Sequence, residues 1–116
     1  MAKITRTGSN AVLSNSVEYH NFVFLAGITA DDLSQDVSGQ TRQVLAKIDE
    51  LLEANGTDKS RLLSAQIWLK DIRDRDAMNK VWVEWLGEAG RPARACVEAN
   101  MADPRHLGEI MVTACR

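Results

Sequence analysis

The sequence predicts an α+β fold, a mixed sheet with two helices packed on one of its faces. Two observations carry that reading: the hydrophobic period changes from about two to about three-and-a-half and back along the chain, and the resulting order is strand, strand, helix, strand, helix, strand, strand. A third follows from counting: two helices cannot cover both faces of such a sheet, so one face must meet solvent, a ligand or another subunit. At 116 residues, with no internal repeat, low-complexity tract or linker, the chain is expected to form a single domain spanning 1–116.

Ala11 to Val17 reads as an irregular or extended segment, and Tyr19-His20-Asn21 as a tight polar connection into Phe22-Val-Phe-Leu-Ala26. That run is β-rich and short enough to be a buried strand, and Gly27 ends it. Asp36 or Ser38 can cap a helix whose Val44, Leu45, Ile48, Leu51 and Leu52 fall on one stripe, with Gly56 after Asn55 as its stop. After the short polar stretch Thr57 to Arg61, Leu63, Ala65, Ile67 and Leu69 alternate with Leu62, Ser64, Gln66 and Trp68, as expected of a strand buried mainly on one side. Asp74 or Asp76 opens a second helix through Met78, Val81, Trp82, Trp85 and Leu86, which Gly87 and Gly90 release. The last quarter holds two alternating strands. On the first, Ala93, Ala95, Val97 and Ala99 alternate with Arg94, Cys96, Glu98 and Asn100, so the small apolar set suits a subunit contact with polar clefts at its rim.

Composition narrows the class. With 45% apolar residues, 26% charged residues and a net charge of -2, the chain lacks the basic excess that nucleic-acid binding or docking on an anionic membrane requires. The start, Met-Ala-Lys-Ile-Thr-Arg, has no apolar leader core, and no later run approaches the length of a membrane span, so the cytoplasm is the expected location. Cys96 and Cys115 come without a CxxC or a His/Cys cluster, and neither a disulfide nor a metal site is expected. The acidic stretches Asp31-Asp32 and Asp71 to Asp76 lack the ligand spacing of a calcium loop and read as turn and cap residues.

Arg94 is the leading functional candidate, because a guanidinium on a strand beside a cleft offers a planar fork of donors that fits the two oxygens of a carboxylate. Its structural alternative is an interface ion pair, with Glu98 or Glu109 as partner. Cys96 lacks the His or Asn partner that would activate a nucleophile, and only its backbone is expected to line a cleft. Trp68, Trp82 and Trp85 stand at core spacing, and His20 and His106 stand in turns; none enters the mechanism.

Several segments resemble the reactive intermediate deaminase (Rid, or YjgF) family: Gln40-Thr-Arg-Gln-Val-Leu, Asp71-Ile, Met78-Asn-Lys-Val, and above all Pro92-Ala-Arg94-Ala-Cys96-Val followed by Glu109-Ile. The resemblance runs from about Val17 to the C-terminus. It implies a chorismate-mutase-like fold, a homotrimer, and three ligand clefts between subunits. It further implies cofactor-independent hydrolysis of an enamine or imine, a small imino-acid substrate, to a 2-oxo acid and ammonia. Arg94 would hold the substrate carboxylate, Glu109 would orient or deprotonate water, and Asn79, Cys96, Ala26 and Gly27 would line the cleft. No metal or organic cofactor is called for, since a protonated imine is already electrophilic and the protein supplies orientation and charge complementarity.

The chain departs from the archetype at three places. Val12-Leu13-Ser14 stands where close members carry Pro-Tyr-Ser, Ala26-Gly27 stands for Ser-Gly, and Gly108 stands for an aliphatic residue. The pattern is that of a divergent Rid subfamily, with the carboxylate clamp kept and the rest of the pocket rebuilt. The rival from another class is a non-catalytic trimer that binds a small carboxylate metabolite in the same clefts. An RNA-cleaving role, proposed for some relatives, is disfavoured by the acidic balance.

Overall fold

The computed structural model describes residues 2–116. Six strands, β1 (Thr5–Thr7), β2 (Ser16–Tyr19), β3 (Phe22–Leu25), β4 (Leu62–Leu69), β5 (Ala93–Glu98) and β6 (Gly108–Cys115), form one sheet in the order β1-β2-β3-β6-β4-β5. The β4–β5 pair is parallel and every other pair is antiparallel, which makes the sheet mixed as expected. Helices α1 (Val37–Ala54) and α2 (Arg75–Leu86) cover one face. Among the described residues no helix is long and apolar enough to cross a membrane.

The helical periodicity is realised closely. Asp36, not Ser38, caps α1: its carboxylate accepts the Gly39 N–H at 2.8 Å, satisfying a donor that the first turn would otherwise leave unpaired. Val44, Leu45, Ile48 and Leu52 are buried against the sheet, and Gly56, at φ 73°, takes the left-handed turn after the Asn55 cap. Asp74 precedes α2 but makes no side-chain cap, and Gly87 ends that helix at φ 54°. Buried polar groups tie these elements to the sheet. Gln40 accepts the Leu107 N–H at 2.9 Å and donates to the Arg105 carbonyl at 3.2 Å, which fixes the approach to β6. Thr57 donates to the Cys115 carbonyl, locking the far end of the same strand.

Three expectations are corrected. The strand at Phe22–Leu25 is not buried throughout: Val23 and Leu25 enter the core, while Phe22 and Phe24 are exposed on the opposite face. The inward set of β4 is not Leu63 with Ala65, Ile67 and Leu69. A bulge between Leu62 and Ser64 gives β4 one residue more than β6 there, so Leu62 turns inward and Leu63 is exposed. An additional strand, β1, pairs Thr5–Thr7 with Ser16–Glu18 and extends the sheet beyond the element order expected. The connection at Tyr19-His20-Asn21 is a tight turn with His20 at φ 54°.

Register defines the two faces. Ala65, Ile67 and Leu69 of β4 and Ile110, Val112 and Ala114 of β6 lie on the helix side, in the core. Gln66, Trp68, Glu109, Met111 and Thr113 lie on the other side, with Phe22, Phe24, Ala93, Ala95 and Val97. This second face is uncovered in the monomer, and Phe22, Phe24, Val97 and Met111 are each 43 to 46% exposed on it. Four large apolar side chains are thus exposed across this one face of the sheet.

Candidate functional site

Because β5 runs parallel to β4, Ala65 pairs with Arg94, Ile67 with Cys96 and Leu69 with Glu98. The alternation read from the sequence therefore resolves to a definite side: Arg94, Cys96 and Glu98 share the helix face, at the outer edge of the sheet. Asn100 lies beyond the end of β5 and does not join them. One turn into α2, Asn79 faces the same edge, and its Oδ1 accepts a hydrogen bond from Arg94 Nη1 at 2.7 Å. Three residues on, Trp82 places its ring beneath the same guanidinium, with Arg94 Cζ 5.6 Å from the ring centroid.

Among the described residues Arg94 makes no ion pair, and neither its Nε nor its Nη2 is hydrogen-bonded. Neither Glu98 nor Glu109 of the same chain pairs with Arg94. Glu98 spends one oxygen on the Ile72 N–H at 3.0 Å, and Glu109 lies on the other face of the sheet. Arg94 is thus exposed, held by a neutral partner and carrying an unused pair of donors, the state in which a guanidinium can accept a carboxylate.

Glu109, opposite Trp68 on the uncovered face, is half-buried, and no side-chain hydrogen bond or ion pair engages it among the described residues. Its carboxylate lies over Gly27, where a methyl group on that residue would overlap Oε2. Ile28 and Ile110 exchange backbone hydrogen bonds at 2.8 and 3.1 Å, and this bridge lays the Ala26–Gly27 segment along the start of β6. The candidate residues therefore fall into two groups within one chain: Arg94, Asn79 and Cys96 on the helix side, and Glu109, Gly27 and Ala26 beside the uncovered face. The fold brings each group together and separates the two by the thickness of the sheet.

Cys96 is half-buried, and burial pushes its thiol above the usual value although Arg94 and Arg75 pull it down. A raised thiol is a poor nucleophile at neutral pH. Trp82, expected only as packing, does fill the core at 5% exposure, yet it also carries Arg94; its spacing of three from Asn79 on α2 was the available signal. Trp85 packs on Trp82 with ring centroids 5.6 Å apart and donates to Asp49, whereas Trp68 faces the other way, so the three do not form one aromatic wall. Among the described residues no group of three His, Cys, Asp or Glu is placed to hold a metal ion.

The Endoribonuclease L-PSP family model matches residues 4–116. A RutC family protein from Haemophilus ducreyi is 39% identical over 111 residues, covering 96% of this chain and 95% of that protein. The chain belongs to the YjgF/Rid family. A crystal structure of a YjgF-family member from Neisseria meningitidis agrees with a TM-score of 0.94 at 38% identity, covering 98% of this chain and 95% of that one. A chloroplastic protein of Arabidopsis thaliana named Reactive Intermediate Deaminase A is 33% identical over 88 residues, covering 71% of this chain and 46% of that protein.

Within this YjgF/Rid chain the segment Val12-Leu13-Ser14 sits in the exposed connection between β1 and β2. Asn10 Oδ1 accepts the Val12 and Leu13 N–H groups at 2.7 and 3.0 Å and holds both apolar side chains outward. Gly108 packs against Leu69, whose Cδ2 lies 3.3 Å from the place a Cβ would take, so an aliphatic residue there would require Leu69 to give by a few tenths of an ångström.

Proposed function

We propose that this YjgF/Rid protein hydrolyses reactive enamine or imine intermediates of amino acids to 2-oxo acids and ammonia, without a cofactor, in clefts between the subunits of a homotrimer. The observation that carries the reading is the state of Arg94: exposed and, among the described residues, hydrogen-bonded only to Asn79 through Nη1, with Nε and Nη2 unpaired. The two-sided placement of the candidates supports an intersubunit site. Arg94, Asn79 and Cys96 of one subunit meet Glu109, Gly27 and Ala26 of the next when the uncovered, apolar-rich face is buried against a neighbour. The Arabidopsis relative's name adds a precedent in chemistry.

In this mechanism the guanidinium of Arg94 holds the substrate carboxylate and fixes the imine carbon in the cleft. Glu109 accepts a proton from water as its oxygen bonds to that carbon, and the carbon–nitrogen π electrons move to nitrogen. The proton then passes to the amine of the resulting carbinolamine; as the carbon–nitrogen bond breaks and ammonia leaves, the hydroxyl gives its proton to Glu109 and the carbonyl forms. Leu13 and Ala26 in place of hydroxyl-bearing residues favour a substrate whose side chain is apolar and asks for no hydrogen bond there.

The test is an ammonia-release assay over imines generated in situ from several amino acids by an amino-acid oxidase. Turnover that depends on Arg94 is expected. No turnover on any imine, together with Arg94-dependent binding of 2-oxo acids, would point to a non-catalytic trimer that binds carboxylates.

A further inference from the structure

We infer that Trp82 is a positioning residue for the carboxylate site, and that its indole face, together with the Asn79 amide, holds the Arg94 guanidinium in the one orientation that presents its Nε/Nη2 edge to the ligand. This inference rests on the proposed role of Arg94 and adds a residue to it. A free arginine on an edge strand has several rotamers, and ordering it at the moment of binding costs affinity. Here two contacts from α2 remove that freedom beforehand. Asn79 Oδ1 takes a proton from Nη1 at 2.7 Å, and the Trp82 ring lies 5.6 Å below Cζ. The two come from successive turns of one helix, so the arginine is fixed at one nitrogen and across one face.

The ring that carries the arginine is itself buried and packed. Trp82 is 5% exposed, and Trp85 packs against it at 5.6 Å. Trp85 is in turn held by a 2.9 Å hydrogen bond to Asp49 of α1 and by Lys59, whose ammonium lies 5.3 Å from its ring centroid. The electron-rich face of the indole favours the cation without using any of its N–H donors, which an acidic partner would consume. Trp82 thus stabilises the charge and leaves the carboxylate-binding edge vacant, a combination no ion pair offers.

The experiment measures pyruvate binding by calorimetry for wild type, Trp82→Phe, Trp82→Tyr, Trp85→Phe and Arg94→Ala, with the Arg94 Nε–H followed by NMR. Trp82→Phe keeps an apolar ring but weakens the face, and should cost about three- to tenfold in affinity. Trp82→Tyr, the second variant should Trp82→Phe fold poorly, should lie between Trp82→Phe and wild type, and both should shift the Arg94 Nε resonance before ligand is added. Trp85→Phe leaves the Trp82 face itself in place under Arg94 and only loosens its support, so its loss should be smaller than that of Trp82→Phe, about twofold or less. Equal losses in Trp82→Phe and Trp85→Phe, or wild-type affinity in both Trp82 variants while Arg94→Ala binds weakly, overturn the inference and leave the Arg94 reading standing. Wild type and Arg94→Ala behaving alike overturns both.

Discussion

The carboxylate of Glu109 occupies the space that a side chain on Gly27 would need. Gly27 has an ordinary backbone conformation, so its lack of a Cβ serves the approach of Glu109 rather than a turn. A methyl group there meets the far end of a flexible side chain, which can swing aside at little cost to the fold. Gly27→Ala should therefore melt within about 3 °C of wild type, a shift equivalent to less than about 1 kcal/mol at this size, while imine turnover falls about tenfold or more. The loss should vanish in a Glu109→Gln background, because the two changes act through one group. Additive losses in the double variant would show that Gly27 acts on its own.

Glu109 itself is expected to matter for turnover more than for binding. Glu109→Gln keeps shape and hydrogen bonding but cannot accept a proton, so the rate of ammonia release should drop while pyruvate affinity stays within about twofold. Equal losses in both would mean that Glu109 holds ligand or structure.

Assembly should be inseparable from activity. Phe24 and Met111 lie exposed on the same uncovered face as Glu109, so Phe24→Glu or Met111→Glu places a charge where the proposed neighbour packs. Sedimentation should show a trimer for wild type and smaller species for either variant, with turnover lost in parallel. A wild-type monomer at micromolar concentration would remove the intersubunit site.

The sequence made the helices, the tight turn at His20 and the alternation on β5 legible, because each depends on local periodicity and capping. It did not reveal that Arg94 and Glu109 lie on opposite faces. Alternation tells which residues of one strand share a side, but which side that is follows from pairing with other strands, and a one-residue slip inverts it. The bulge at Leu63 shows the same limit: a one-residue excess over β6 reversed the parity of Leu62 and Leu63 with no mark in their apolar pattern. Trp82 was hidden for a different reason, since a buried aromatic at helix spacing has the same signature whether or not a cation sits on its ring.

Cys96 gives a pH-dependent check on the non-covalent mechanism. Burial raises its thiol above 9.0, the ordinary value, so at pH 7 to 8 the neutral form dominates, and thiolate appears only as pH climbs past that value. In a Cys115→Ser protein, iodoacetamide should label Cys96 slowly at pH 7.5 and increasingly fast above pH 9, and Cys96→Ala should keep most of the imine hydrolysis. Labelling that is already maximal near pH 7, with activity lost in Cys96→Ala, would indicate a stabilised thiolate and covalent chemistry.

The carboxylate clamp makes the most exacting prediction, because charge and geometry can be separated at one position. A bidentate arginine–carboxylate contact in a partly desolvated cleft contributes about 2 to 4 kcal/mol, so Arg94→Ala should lose about 30- to 1000-fold in kcat/KM. Arg94→Lys keeps the charge but has neither the planar fork nor a flat cation to lie on Trp82, and it should recover little of that loss. Asn79→Ala removes one anchor and leaves the cation in place, so its effect should be intermediate, about three- to tenfold, on the same carboxylate-bearing substrates. Steady-state kinetics on one imino acid for the three variants orders them as Asn79→Ala mildest, then Arg94→Lys close to Arg94→Ala. If Arg94→Lys instead approaches wild type, the site reads charge alone, and the edge-on fork held by Asn79 and Trp82 is not what selects the carboxylate.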